Sequence, residues 1–337
     1  MRTSLVVVLL AVFAGVDSLG AQSAKPMMKA VVMHGYGGPE VLKLEQVARP
    51  EPKDDEILIR VMAASVNPVD VAIRKGYLAE LVGKLPFVPG MDVAGVVEKC
   101  GSKVTNFKKG DPIFAFFTLK DEGGYAEFVL AKQNEIAAKP KTVDYPQAAA
   151  VGAAGATAWE ALVDTAKLGP GQTVLIHGGA GGVGHLAIQI AKARGAKVFA
   201  TGSTANQDFL KQTGADVAID YTKTKFEDVA KDVDVVLDMV GEDTLERSYA
   251  VVKKGGIIVS IVDEPKQSAL DARGIRGVAL RCEPKAEVMQ ELSRLMETQK
   301  LKPIVSQTFP LTEVTKAQDQ IATRHTRGKI ALVVARD

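Results

Sequence analysis

Cysteine is nearly missing from this chain: among 337 residues only Cys100 and Cys282 occur. Two thiols in separate parts of the sequence exclude a disulfide framework and any cysteine-rich structural zinc site. The four histidines, His34, His177, His185 and His325, are scattered and form no H-x-x-x-H pair that would set two imidazoles on one helix face. No metal site is visible. A surplus of one charge is lacking too, since 42 Lys and Arg stand against 40 Asp and Glu, a formal net charge of +2. Without a basic surplus or a long basic run there is no electrostatic case for a nucleic-acid partner. The remaining composition, 47% hydrophobic and 24% charged, belongs to a globular protein long enough for two domains with their own cores.

Hydrophobic runs long enough to span a bilayer comfortably are also absent. The first 25 residues differ from the rest: Arg2 precedes an apolar run of 12, Leu5 to Val16, and Ser18-Leu19-Gly20-Ala21-Gln22 offers small-residue cleavage choices. Residues 1–25 therefore read as a secretory signal, which predicts an exported or periplasmic protein. Two other origins stay open, an uncleaved membrane anchor and a cytoplasmic protein starting at Met27 or Met28.

What is present is a nucleotide-binding turn. The apolar run Gln172 to His177 leads into Gly178-Gly179-Ala180-Gly181-Gly182-Val183-Gly184, and Gly179, Gly181 and Gly184 satisfy G-x-G-x-x-G. In that pattern the first glycine permits the tight turn, the second admits a pyrophosphate and the third lets helix pack on strand. The helix from Gly182 to Arg194 aims its free amides at the phosphates. A second strand starts at Lys197, and at its end, Thr201-Gly202-Ser203, no Asp or Glu is present to take the ribose hydroxyls. A small polar end leaves room for a 2′-phosphate, with Ser203, Lys211 and Tyr221 as nearby donors. NADPH is the expected cofactor. As a cytosolic reductant it stands against export.

Ahead of the turn, strands at Ala30–His34, Leu42–Glu45, Glu56–Ala64, Met91–Glu98, Pro112–Phe116 and Gly124–Leu130 make a β-rich region. Beyond it strands alternate with helices: Val217–Asp220, Val233–Met239, Gly256–Val262 and Gly277–Cys282, a helix from Lys285 to Thr298, then Ile304–Leu311, a helix from Val314 to Ile321, and Lys329–Ala335.

Several segments together carry a family resemblance: Gly35-Tyr36-Gly37-Gly38-Pro39-Glu40, Asn67-Pro68-Val69-Asp70, Pro89-Gly90-Met91-Asp92-Val93-Ala94-Gly95, Gly123-Gly124-Tyr125-Ala126-Glu127-Phe128, Thr157-Ala158-Trp159 and Gly328-Lys329. Over about residues 28 to 337 the chain resembles the medium-chain dehydrogenase/reductase superfamily, in its zinc-free quinone and enone reductase branch. The resemblance implies an α/β fold: a GroES-like β-rich catalytic domain over 28–151, a Rossmann doubly wound parallel-sheet domain over 152–292, and a segment over 293–337 returning to the first. Zinc-dependent relatives carry Cys and His where Asn67 and Met91 stand, and these two cannot replace a thiolate and an imidazole.

Without a Lewis acid, reduction of an activated double bond is easier than oxidation of an alcohol. The expected activity is hydride transfer from NADPH to a quinone or to the conjugated double bond of an α,β-unsaturated carbonyl. Asn67 and Tyr77 are the candidates to orient the carbonyl, with protonation by Tyr77 or water. Thr157, Gly241, Ile261 and Lys329 are expected beside the cofactor, together with Gly179, Ala180, Gly181, Gly182, Val183 and Gly184. Asp92 reads as a brace, and Lys329 is balanced against a solvated lysine. A homodimer is expected through the edge strand Gly277–Cys282. Two alternatives remain, a non-catalytic NADPH-binding sensor or structural protein, and a membrane-tethered enal reductase.

Overall fold

The computed structural model describes residues 25–121 and 123–335, so the leader expected over 1–25 lies almost wholly outside it. Among the described residues no helix is long and apolar enough to cross a membrane. The chain runs β1 (Met27–Met33), β2 (Leu42–Ala48), β3 (Glu56–Val66), α1 (Pro68–Arg74), β4 (Asp92–Cys100), β5 (Pro112–Phe116), β6 (Phe128–Lys132), β7 (Ile136–Ala138), α2 (Tyr145–Ala149) and α3 (Gly152–Trp159). Next come β8 (Thr173–Ile176), α4 (Gly182–Ala193), β9 (Lys197–Gly202), α5 (Gln207–Gln212), β10 (Val217–Asp220), α6 (Phe226–Val229) and β11 (Val233–Asp238). Then follow α7 (Glu242–Ser248), β12 (Val252–Ser260), α8 (Gln267–Arg273), β13 (Arg276–Ala279), α9 (Ala286–Glu297), β14 (Val305–Pro310), α10 (Val314–Ala322) and β15 (Lys329–Val333).

Six of these strands form a parallel sheet in the order β10-β9-β8-β11-β12-β13. Strand order reverses between β8 and β11, the place where doubly wound sheets open a crevice for a ligand. Val174, Leu175 and Ile176 are fully buried, as suits a strand covered on both faces. The α4 helix starts after Gly181, which has extended backbone, buries Leu186, Ile188 and Ile190, and gives way to the left-handed Gly195. Each of those three side chains contributes about 1.5–3 kcal/mol by leaving water.

The second sheet has seven strands, β14-β15-β3-β4-β5-β7 with β6 on β3, while β1 and β2 pair separately. Its last two members come from the end of the chain: β15 lies antiparallel to β3, so the final segment returns to the first sheet. One expected strand shifts. Gly124–Leu130 enters the ladder only from Phe128, because Gly123 and Gly124 lie against the backbone of Pro89 and Gly90 and the side chain of Val93, where a Cβ would not fit. Ala126 makes a lone bridge to Ala30 instead.

Candidate active site

Strand register assembles the polar centre. In the β15–β3 ladder Ile330 faces Val66, so one residue further Lys329 meets Asn67; in the β3–β4 ladder Ser65 faces Asp92. Lys329 is only 2% exposed, and its Nζ donates to Asn67 Oδ1 at 2.5 Å and lies 3.7 Å from Asp92 Oδ2. Asn67 Nδ2 donates to Asp92 Oδ2 at 2.8 Å, while the Ala153 amide, in the first turn of α3, donates to Asp92 Oδ1 at 2.6 Å. Gly152 makes room for that carboxylate: a Cβ there would meet Asp92 Oδ1 at 2.4 Å. Asp92 thus ties β4 to the helix that leads into the parallel sheet. Asp70 extends the network, accepting from the Asn67 amide at 2.7 Å and from Tyr125 Oη at 2.8 Å.

Burial dominates the electrostatics of this cluster. It raises the Asp92 carboxyl and drives Asp70 up to about 7, and it lowers the Lys329 ammonium. The opposite charges work against burial, Lys329 favouring ionised Asp92 and Asp92 favouring charged Lys329. Tyr125, fully buried, is pushed well above its ordinary value by burial and by Asp70.

The glycine turn abuts this cluster. Gly178 carries the left-handed conformation at φ +71°, so the tight turn belongs to it rather than to Gly179. Gly179 is required for another reason, since a Cβ would meet Leu210 at 2.8 Å and Ala200 at 3.0 Å. Gly184 packs the helix on the turn: its Cβ would meet Gly178 O at 2.3 Å. At Gly182 a Cβ would lie 2.9 Å from Lys329 Cδ, and the Gly328 amide donates to Ala180 O at 2.9 Å. The lysine stem therefore runs along the phosphate turn before its head reaches Asn67. The first-turn amides of Gly182, Val183 and Gly184 have no carbonyl of their own helix to bond, which leaves them for an anion. A glycine cradle, free amides and a cation fit a dinucleotide diphosphate.

The other expected residues divide. Thr157 is half-buried on α3 beside Cys282, whose thiol burial and Glu160 push far up. Gly241 has φ +78° and its Cβ would strike Asp263 Oδ2 at 2.3 Å, while the Ile261 amide bonds Asp238 O at 3.1 Å. Both sit at strand ends braced by Asp238, which accepts from the Val240 and Gly241 amides and from Ser260 Oγ. Ser203 Oγ, after β9, accepts from Asn206 Nδ2 at 3.2 Å. Lys211 and Tyr221 are exposed, and Tyr77 is 76% exposed beyond α1. Tyr77 is not brought into the Asn67 cluster. Asn67 itself is 7% exposed with its oxygen and one amide hydrogen engaged, so a single N–H remains as a donor.

Sequence reasoning missed Asp70, Tyr125 and Arg327. Asp70 and Tyr125 lie within quoted segments, yet nothing in the sequence brings them together across 55 positions. Arg327 belongs to the end of the chain but donates to Asn206 Oδ1 at 2.6 Å and to Ala205 O, in the turn after β9.

Comparison with known proteins agrees with this geometry. Residues 53–141 match the family model for the alcohol dehydrogenase GroES-like domain, and residues 213–332 match that for zinc-binding dehydrogenase. The chain is 39% identical over 330 residues to the chloroplastic NADPH-dependent alkenal/one oxidoreductase of Arabidopsis thaliana, covering 95% of this chain and 83% of that one. It is 36% identical over 330 residues to the quinone oxidoreductase of Sus scrofa, covering 93% and 99%. The solved quinone oxidoreductase of Coxiella burnetii superposes with a TM-score of 0.84 at 36% identity, covering 92% of this chain and all of that one. At these identities over most of its length, the chain belongs to the zinc-free quinone and enone reductase branch of the medium-chain dehydrogenase/reductase superfamily.

Proposed function

We propose that this oxidoreductase uses NADPH to reduce a quinone or the conjugated double bond of an α,β-unsaturated carbonyl. One observation carries the reading: Lys329 runs from the glycine turn to the Asn67–Asp92 pair, putting a buried cation where the nucleotide turn meets the polar centre. When bound, NADPH supplies the hydride. The amides of Gly182, Val183 and Gly184 hold the diphosphate, and Lys329 adds positive charge beside it. Asn67 is held by Lys329 on one side and Asp92 on the other, so its remaining N–H keeps a fixed direction toward a carbonyl oxygen gaining negative charge. Tyr77, outside that cluster, belongs to the rim. The relatives named for alkenal/one and quinone substrates support the same class.

The test is a panel of quinones, alkenals, enones and alcohols assayed by NADPH absorbance, with NADH in parallel. Quinone or enone turnover with NADPH preferred is expected. Turnover confined to alcohols, or binding without turnover of any substrate, overturns the reading. The exposed edge of the parallel sheet at β13 supports a homodimer as part of the same reading.

A further inference from the structure

The end of β9 decides which nicotinamide nucleotide a Rossmann fold accepts, because the adenosine ribose lies there. The last two residues of β9, Thr201 and Gly202, and Ser203 just after it carry no acid. Among the described residues, the cation whose side chain bonds the turn comes from elsewhere in the chain. Arg327 Nε donates to Asn206 Oδ1 at 2.6 Å and its Nη2 to Ala205 O. Asn206 in turn donates to Ser203 Oγ at 3.2 Å, so guanidinium, amide and hydroxyl form one chain across the strand end.

Those two bonds engage only two of the five N–H groups of the fork. Arg327 is exposed, and the acceptors its side chain bonds, Asn206 Oδ1 and Ala205 O, are neutral. The neighbouring acid, Asp220, is engaged by Thr204 Oγ1 at 2.5 Å, Thr222 Oγ1 at 2.6 Å and Lys223 at 3.7 Å. Neutral acceptors thus fix the direction of a full positive charge without cancelling it. A planar fork held in this way, with N–H groups left over, suits a phosphate dianion better than the single hydroxyl pair of an unphosphorylated ribose.

We infer that Arg327, reaching from the C-terminal segment, is the specificity-determining residue that grips the 2′-phosphate of NADPH, with Ser203 as its hydroxyl partner. This deepens the NADPH reading and rests on it. Lys211 and Tyr221 are exposed, Tyr221 meeting the strand end through its backbone amide, which donates to Gly202 O at 3.3 Å, and both contribute less.

The test is calorimetric titration of the full chain with 2′,5′-ADP, 5′-AMP, NADP⁺ and NAD⁺, comparing wild type, Arg327→Gln and Arg327→Lys. Wild type is expected to bind 2′,5′-ADP at least about tenfold tighter than 5′-AMP. Arg327→Gln loses about tenfold to a hundredfold toward 2′,5′-ADP and NADP⁺ while 5′-AMP and NAD⁺ stay within about twofold. Arg327→Lys keeps the charge without the fork and recovers part of the loss. Equal loss toward all four ligands marks a structural role and overturns the assignment. Unchanged discrimination in Arg327→Gln overturns it while leaving the NADPH reading intact. A wild type that does not discriminate overturns the NADPH reading itself.

Discussion

Lys329 illustrates how one side chain takes its meaning from neighbours remote in sequence. Burial disfavours its charge, and Asn67 and Asp92 restore part of what burial removes. Taking away the ammonium leaves Asp92 ionised and buried with no countercharge, a defect of about 3–5 kcal/mol. Lys329→Met is therefore expected to unfold at lower urea, whereas Lys329→Met with Asp92→Asn regains about half of that loss because no lone charge remains. Urea unfolding of wild type, the two single variants and the double variant checks this. A double variant no more stable than Lys329→Met would sink the paired-charge account. In the sequence a solvated lysine at a strand start is the safer reading of Lys329, since its partner Asn67 is 262 positions away and only the β15–β3 register joins them. Asn67 reads as a candidate from the sequence; that Lys329 and Asp92 hold both ends of its amide does not. The same distance hid Arg327, whose partners lie 121 and 122 positions upstream.

Elements were far more legible than residues because strand and helix signals are local. Pro112–Phe116 and Val217–Asp220 fall where the alternation and the apolar run put them, and α4 starts at Gly182 as the glycine turn requires. The misplaced strand near Tyr125 failed for a non-local reason, the close approach of Gly123 to Pro89 and Gly90. The last strand of the parallel sheet ends at Ala279 rather than Cys282, although the Leu280 amide still reaches Ser260 O at 2.8 Å. That bond orients the edge. With the Leu280 N–H turned toward β12, strand alternation turns those of Val278 and Arg276 the same way and those of Gly277 and Ala279 outward. An outward row on an uncovered edge is a template for its twin in a second copy. Light scattering is expected to give twice the chain mass. Ala279→Pro, which removes an outward donor without touching the β12 ladder, is expected to shift the protein toward monomer. A monomeric wild type would refute the pairing.

At the scale of the whole molecule, two neutral imidazoles join the parallel sheet to its surroundings. The Ile304 amide can only donate, so His185 Nε2 accepts from it at 3.2 Å, and the ring proton on Nδ1 goes to Gly181 O at 2.9 Å. Ser248 Oγ gives its hydrogen to Thr244 O at 2.6 Å and so accepts from His177 Nε2, leaving His177 Nδ1 to accept from Thr201 Oγ1. Neither ring has room for a second proton, and burial lowers both from 6.5 to about 4. A base whose folded pKa is depressed lends stability that is present above its unfolded pKa and lost as pH falls through the interval between the two. Each histidine therefore withdraws on the order of 3 kcal/mol as pH falls from 6.5 to 4. Asp70 acts oppositely. Its carboxyl, raised from 3.8 to about 7, lends stability at low pH that is lost as pH rises through that range. The raised Asp92 carboxyl acts in the same sense as Asp70, so the histidine share is isolated by removing one imidazole. Unfolding free energy from urea titrations at pH 6.5 and pH 4.5 is expected to change toward acid by about 2 kcal/mol less favourably in wild type than in His185→Gln. Because His185 holds Ile304, one residue before β14, the loss falls first on the C-terminal segment that carries Arg327 and Lys329. Amide exchange in β15 should accelerate in acid before exchange in β8 does, and a pH dependence unchanged by His185→Gln would remove that histidine as the cause.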